Sequence, residues 1–273
     1  MAVASREHGS SGSSELRQIL ESLESVLVCF SGGVDSAYLL AEAHAVLGDR
    51  AVALTAISAS LAPGEREAAA RIAAALGVRH LEVDSHEGAL PDYRKNDADR
   101  CFHCKSELYS IAHREAGRLG LAAIVDGFNR DDRGDHRPGR EAAREQGVRS
   151  PLDEAGLGKE AIREGARALG LEIWDKPAAA CLASRIPYGT EVTELRLSRV
   201  GKAEAALAAL GFRVLRVRDH HPVARLELGV DEIPRLLEPG VRAQVLEAVR
   251  EAGFPYVALD LEGYRLGALN ELL

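Results

Sequence analysis

Residues 26–30, Val-Leu-Val-Cys-Phe, form an unbroken apolar run that ends at Ser31-Gly-Gly-Val-Asp-Ser36, and the helix-patterned stretch AYLLAEAHAVL follows at once. A strand without polar alternation must be covered on both faces, as strands of parallel α/β sheets are. The two glycines let the backbone turn sharply and aim consecutive N–H groups into one concavity at a helix N-terminus, an arrangement that binds phosphate. Ser31 and Ser36 add hydroxyl donors, and Asp35 makes sense beside phosphate where Mg2+ bridges the two. The loop lacks the lysine of a Walker A motif. A tight turn alone would use the glycines but has no need of two serines and an acid.

The same alternation recurs along the chain. A short amphipathic helix from Glu15 presents Leu16, Ile19, Leu20 and Leu23; later come a strand over 51–57, a helix over 63–76, a strand over 80–83, a helix over 106–119 and a strand over 123–127. The expected fold class is α/β, a parallel sheet with right-handed crossovers and helices on both faces. The polar stretch NRDDRGDHRPGR after Gly127 reads as a loop at a strand's carboxyl end, where open α/β sheets bind ligands. A helix over 159–169 and a short strand over 172–174 lead to KPAAACLASRIPYG from Lys176 to Gly189, a stretch bounded by prolines and glycine. Beyond it a helix over 192–210, strands over 212–219 and 223–228, one or two helices within 231–252 and a strand over 256–261 suggest a small α+β domain. The expected organisation is a disordered leader over 1–14, whose small polar residues have no apolar period, a domain carrying the phosphate loop over 15–175 and a second region with the small α+β domain over 176–273.

Composition narrows the partners. Of 273 residues, 34 are Lys or Arg and 42 are Asp or Glu, a formal charge of -8, so the basic footprint of a nucleic-acid-binding protein is missing. The chain shows neither a long apolar span nor a signal core, which points to the cytoplasm. Its 4 cysteines are too few for a disulfide framework, and Cys101-Phe-His-Cys104 has the spacing at which two thiolates reach one metal.

The S-G-G-x-D-S loop resembles that of the PP-loop ATP pyrophosphatases, which hold the pyrophosphate of ATP while a substrate oxygen attacks the α-phosphate. Two further segments, Asp126-Gly-Phe-Asn-Arg-Asp-Asp-Arg-Gly-Asp-His-Arg-Pro-Gly139 and KPAAACLASRIPYG, are similar to signatures of the LarE family, the ATP-dependent sulfur transferases of nickel-pincer cofactor synthesis. The resemblance spans nearly all of the chain after the leader. It implies adenylation of a carboxylate of a pyridinium-3,5-dicarboxylate mononucleotide, displacement of AMP by sulfur and a thiocarboxylate product. ATP and Mg2+ would meet Ser31, Gly32, Gly33, Asp35, Ser36, Gly127 and Asn129, and the family's sulfur-donating cysteine falls on Cys181. With Cys101 and Cys104, Cys181 completes a three-cysteine pattern that resembles members carrying a four-iron, four-sulfur cluster with one open iron; members with the single cysteine give up its sulfur and keep dehydroalanine. The resemblance also implies a homo-oligomer, a sulfide donor and a downstream nickel-inserting enzyme as partners.

The residues themselves support this chemistry and leave alternatives. Cys181 has Lys176 and Arg185 near it in sequence, and positive neighbours favour a thiolate, while a small cysteine packed among alanines is the competing account. Arg185 and Ser184 suit phosphate or carboxylate oxygens, or Arg185 is a surface residue. Strand period two puts Arg216 and Arg218 on one face, as a phosphate clamp for the mononucleotide or as a solvated sheet face. Arg137 and Arg140 lie in or just after the loop that follows Gly127, where Asp131 and Asp132 would assist Mg2+ or ribose unless the loop is simply solvated. His220-His221 reads as the start of a turn, Cys29 as packing, and Lys105 as a phosphate contact or a solvated helix start. For Cys101 and Cys104, zinc with His103 and a redox disulfide remain rivals to the cluster. Two other functions compete with sulfur transfer to a mononucleotide: tRNA thiolation, disfavoured by the acidic charge, and nucleotide sensing without turnover.

Overall fold

The computed structural model describes residues 4–134, 138–177 and 180–265, with side chains from Gly12 onward apart from Gly134. Two compact units divide the chain: Met1–Ser58, Gly64–Glu87 and Cys101–Ala179 form the first, Ala59–Pro63, Gly88–Arg100 and Ala180–Leu273 the second. The long second segment begins inside the Pro- and Gly-bounded stretch. Residues 59–63 and 88–100, which the linear order assigns to the nucleotide domain, group with the C-terminal unit instead.

In the first unit β1 (Val26–Cys29), β2 (Ala51–Ile57), β3 (Arg79–Asp84) and β4 (Ala123–Asp126) form a wholly parallel sheet in the order β3-β2-β1-β4. The apolar run of β1 is used on both sides, as its pattern requires. Val26 and Val28 join a cluster with Leu16, Leu20, Leu39 and Ala69, whereas Leu27 and Cys29 join Leu54, Tyr109, Ile111 and Ala142. Helices α1 (Ala4–Ser22), α2 (Val34–Leu47) and α3 (Glu65–Ala75) contribute to the first cluster. The short α4 (Pro91–Lys95) belongs to the second unit. The opposite face is covered by α5 (Arg100–Leu119) and α6 (Pro138–Glu145), while α7 (Pro151–Glu154) and α8 (Lys159–Ala168) add Leu152 and Ile162 to the first. Leu39 has no exposed surface, and truncating such a side chain to alanine costs about 2–5 kcal/mol. Because β2 and β4 flank β1 on opposite sides, the carboxyl ends of β1 and β4 form a topological switch point, where the crevice of an open α/β sheet lies.

In the second unit α9 (Glu194–Ala209) precedes β5 (Leu215–His220) and β6 (Val223–Leu228), then α10 (Pro239–Glu251) and β7 (Tyr256–Leu259). Strands β5 and β6 are antiparallel, β6 and β7 parallel, in the order β5-β6-β7. Leu197, Val200, Leu207, Val217, Leu226, Val249 and Phe254 are buried in this unit. The small α+β arrangement expected from the sequence is the one found.

Four local expectations differ from the structure. The polar N-terminal residues are helical from Ala4 as part of α1, not a disordered leader. Small side chains allow this: a Cβ on Gly12 would come within 2.7 Å of Leu157 Cδ2, and Ser13 Oγ hydrogen-bonds Tyr38 Oη at 3.3 Å. Helix α5 starts at Arg100 rather than Ser106, so both cysteines of the C-x-x-C motif are helical. Part of the expected loop after Gly127 is ordered as a 3-10 helix, Arg130–Gly134, and as α6 from Pro138, where proline's missing N–H costs nothing. Residues 172–174 form turns closed by Trp174 N–H to Leu171 O and Lys176 N–H to Ile173 O, with no strand alongside. No helix among the described residues is long and apolar enough to cross a membrane.

Candidate active site

The phosphate loop is built by β1 and α2. Gly32 has φ of 72°, and a Cβ there would sit 3.2 Å from Ala69 Cβ and 3.3 Å from its Cα, so both conformation and space call for glycine. Ser36 Oγ donates to Gly33 O at 3.1 Å and lies 3.1 Å from Ser31 Oγ, tying both ends of the loop together. Asp35 occupies the first turn of α2, where the helix N-terminus favours an anion. Below the loop, Thr55 Oγ1 donates to Phe30 O at 2.8 Å and lies 2.8 Å from His80 Nε2. The hydroxyl has a single proton, so His80 carries its hydrogen on Nε2 and donates to the threonine. Burial lowers the pKa of His80. Lys176 bonds Glu65 at 2.7 Å and donates to Gly32 O at 3.5 Å, on the loop's carbonyl side.

At the end of β4 a second set of residues supports the loop. A Cβ on Gly127 would lie 2.9 Å from Ser36 N and 3.1 Å from Ser36 Cα, so the two segments touch backbone to backbone. Asp126 accepts from Tyr109 Oη at 2.7 Å, Ser150 Oγ at 2.8 Å and Phe128 N at 3.2 Å. Burial and that carboxylate together raise the Tyr109 phenol. Asn129 is fully buried; its Oδ1 accepts from Asp131 N, and its Nδ2 has no hydrogen-bond partner among the described residues. An unpaired buried donor of this kind is costly without an acceptor. Asp131 instead accepts the Lys159 N–H that opens α8, which holds its carboxyl below the ordinary range, and Asp132 pairs with Lys159 Nζ at 3.2 Å. Arg140 lies over the Phe128 ring at 5.1 Å and bonds Asp153 at 3.0 Å. Arg137 lies outside the described residues.

The cysteines separate by environment. Cys29 is buried at the end of β1, and desolvation pushes its thiol up to about 12, so it is inert packing. Cys101 is exposed and Cys104 half-buried, three residues apart in the first turn of α5 and hence on one face. Gly139 makes room beside them: its Cβ would meet Lys105 Cγ at 2.9 Å and Cys101 O at 3.6 Å. Lys105 lies over the Tyr109 ring, 5.6 Å from its centroid, and lowers the Cys29 thiol against burial.

In the second unit, Cys181 is exposed and opens a 3-10 turn, Leu182–Arg185, whose backbone is held by bonds to Leu182 N, Ala183 O and Ser184 O from elsewhere in the unit. Arg185, 3% exposed, donates from Nη1 to the carbonyls of Ala180 (2.8 Å) and Cys181 (3.1 Å) and forks onto Glu204 at 2.9 and 3.0 Å. Ser184 Oγ donates to Cys181 O at 2.8 Å, and Arg218 Nη1 to Ser184 O at 2.7 Å. Arg218 also forks onto Glu227 at 2.9 and 2.7 Å. The guanidinium groups of Arg185 and Arg218 are therefore spent on the turn and on carboxylates, a scaffolding role that differs from direct oxyanion binding. Arg216 shares its sheet face with Arg218, but bonds Leu215 O and stacks at 5.0 Å on Tyr264. Burial, together with Arg185, lowers its pKa. Glu204, Glu227, Asn96 and Arg100 escape sequence reading: Glu204 and Glu227 meet their arginines across element boundaries, and Asn96 and Arg100 meet carbonyls more than 80 residues away.

Among the described residues no group of three or more His, Cys, Asp and Glu side chains is gathered in a way that could hold a metal ion. The donor chemistry is nevertheless suited to a thiolate-bound group: Cys101 and Cys104 share a helix face, neither they nor Cys181 are sealed in the core, and Cys29 is.

Residues 16–103 match the family model of asparagine synthase. An uncharacterized protein of Synechocystis is 44% identical over 258 residues, which cover 94% of this chain and 96% of that one. The pyridinium-3,5-bisthiocarboxylic acid mononucleotide synthase of Lactiplantibacillus plantarum is 38% identical over 256 residues, 93% of this chain and 92% of the synthase. An uncharacterized protein of Methanocaldococcus jannaschii is 29% identical over 171 residues, covering 63% and 66%. With a PP-loop at the switch point of a parallel sheet and that likeness along almost its whole length, the chain belongs to the LarE family of ATP-dependent PP-loop enzymes.

Proposed function

We propose that this protein is an ATP-dependent, AMP- and pyrophosphate-forming sulfurtransferase acting on a pyridinium-3,5-dicarboxylate mononucleotide, in the cytoplasm, in synthesis of a nickel-pincer cofactor. The observation that carries the reading is an exposed cysteine, Cys181, fixed on an anchored turn in a chain that has a phosphate loop and is 38% identical to a pyridinium-3,5-bisthiocarboxylic acid mononucleotide synthase. A carboxylate is a poor acyl donor, and adenylation gives it a good leaving group. The N–H groups of residues 31–33 and the hydroxyls of Ser31 and Ser36 hold the pyrophosphate portion of ATP, with Asp35 ligating Mg2+. Gly127 lets the β4 end approach the loop, and Asn129 Nδ2 donates to the nucleotide. A substrate carboxylate oxygen bonds to the α-phosphorus as the bond to pyrophosphate breaks. Sulfur then bonds to the acyl carbon as AMP leaves with the electron pair.

Arg185 and Ser184 hold Cys181 in place, and Arg216, Arg218, Arg140 and Arg137 are the residues we assign to substrate binding. Cys101, Cys104 and Cys181 are the residues we assign to a four-iron, four-sulfur cluster, zinc being the alternative metal. When bound, such a cluster supplies an exchangeable sulfide at the iron that no protein ligand occupies. Without it, the sulfur comes from Cys181 itself: the Cβ–S bond breaks as the Cα proton is lost, leaving dehydroalanine and a thiocarboxylate. Partners in this reading are further copies of the chain, a sulfide donor and a nickel-inserting enzyme.

The test is pyrophosphate release from Mg-ATP with and without the mononucleotide, with mass spectrometry of product and protein. Mononucleotide-dependent release and exchange of one carboxylate oxygen for sulfur are expected. Release stimulated by bulk tRNA but not by the mononucleotide, or ATP binding without any turnover, would refute the proposal. Iron and acid-labile sulfide in anaerobically purified protein decide between cluster and consumed cysteine.

A further inference from the structure

The segment 88–100 leaves the first unit's sequence just before the C-x-x-C motif and packs with the C-terminal unit. It ends in two buried polar side chains that catalysis as described above does not use. Asn96 has no exposed surface and a left-handed backbone at φ of 60°. Its Nδ2 reaches the carbonyls of Pro187 and Thr190 at 2.8 Å each and of Ile186 at 3.3 Å. Its Oδ1 accepts from Arg100 Nη1, which also donates to Ala183 O at 3.0 Å. Arg100 is 3% exposed and lies 5.7 Å over the Tyr188 ring. The backbone joins in, with Gly189 N–H donating to Asn96 O and Val192 N–H to Arg94 O. Ser60 O, on the other excursion into this unit, accepts the Leu182 N–H at 2.9 Å.

Apart from the Tyr188 ring and the bond between Asn96 and Arg100, these contacts fall on main-chain atoms of the turn that Cys181 opens and of the loop leaving it. Two buried side chains with this many bonds to one loop are expensive to keep unless the loop must stay in one place. We propose that Asn96 and Arg100 are positioning residues for Cys181: they hold carbonyls of the 183–190 segment, and thereby set where the sulfur stands when the acyl adenylate forms. The inference rests on the sulfur-transfer reading above. Loosening the clasp leaves adenylation possible but lets water reach the acyl carbon before sulfur does. Water then hydrolyses the adenylate to carboxylate and AMP, so pyrophosphate is released without thiocarboxylate.

The experiment measures thiocarboxylate formed per pyrophosphate released, in wild type, Asn96→Asp and Arg100→Lys, together with hydrogen exchange of Leu182, Ser184 and Ile186 amides in protein without ATP. A fraction of misfolded enzyme lowers both products equally, so their ratio reports positioning rather than folding. Asn96→Asp, isosteric but without donors, is expected to lower the ratio about tenfold, equivalent to ~1.4 kcal/mol at the partitioning step. Exchange at those amides should rise while that of β1 and β2 stays constant, and Arg100→Lys, which keeps a donor and the charge, should retain more of the ratio than Arg100→Gln. An unchanged ratio in Asn96→Asp and Arg100→Gln, whatever their total activity, overturns the proposal. Absence of thiocarboxylate from the wild type refutes the sulfur-transfer reading instead, and the exchange data then judge the clasp alone.

Discussion

Replacing Gly127 with alanine adds one methyl group at the place where the end of β4 meets the phosphate loop. The new Cβ would stand 2.9 Å from Ser36 N, 3.1 Å from Ser36 Cα and 3.3 Å from Asp35 C. All three are backbone atoms in the first turn of α2, so no side chain can swing aside. Relief to an ordinary contact of about 3.4 Å requires the two segments to part by roughly 0.5 Å, a displacement at which preorganised sites lose function. Overpacking of this kind costs about 1–3 kcal/mol, and if it is borne mainly by the loop, the apparent affinity for Mg-ATP falls by about tenfold or more. Stability and KM for ATP in pyrophosphate release are the measurements. Gly117 provides the control, since its Cβ would meet nothing within 4 Å in the last turn of α5, and Gly117→Ala should leave stability unchanged or raise it by at most about 0.5 kcal/mol without changing KM. A Gly127→Ala enzyme with wild-type KM and kcat would refute the argument that this backbone contact shapes the loop.

Cys181→Ala should retain mononucleotide-dependent pyrophosphate release and lose sulfur transfer, with a melting temperature close to wild type, read by product mass spectrometry and calorimetry; loss of both activities would make the residue structural. Arg216→Ala should raise KM for the mononucleotide about tenfold or more and leave KM for ATP within about twofold, and an equal rise in both would place the arginine elsewhere in the reaction. The half-buried His80 has a lowered pKa, so the unfolded chain binds more protons than the folded one below about pH 6.5, its ordinary value. The stability this contributes is complete above that pH and is lost as pH falls through the lowered value; His220 shifts the same way. Urea midpoints should therefore fall on acidification, and less steeply in His80→Gln, whereas an identical slope would remove His80 from the account.

What the sequence disclosed and what it hid follow from the range of the interactions. The unbroken run at Val26–Phe30 and the glycine turn after it are local signals, and they fix a doubly covered strand feeding a helix without knowledge of the rest. The αββαβ order of the C-terminal unit is legible for the same reason, through periodicity within each segment. Small polar residues at the N-terminus mislead, because composition alone cannot register that Gly12 and Ser13 are what lets α1 lie close to Leu157 and Tyr38. Nor can local pattern expose the partners of Arg185 and Arg218: a buried guanidinium forked onto Glu204 or Glu227 looks in sequence like any arginine on a helix or strand. Asn96 is the extreme case. Its value lies in three carbonyls some ninety residues away, which no window on the sequence contains.

The hydrogen bonds that fix the turn at residue 181 go to its carbonyls and amides, and none among the described residues goes to its sulfur. The fold is therefore blind to what hangs from that Cα. A side chain that has lost its sulfur would sit on the same framework as an intact one, so a spent molecule would stay folded, keep its affinity for nucleotide and compete with fresh molecules for substrate. A cell relying on the consumed-cysteine route would have to clear or replace such molecules by recognising the altered residue, since loss of stability would not mark them.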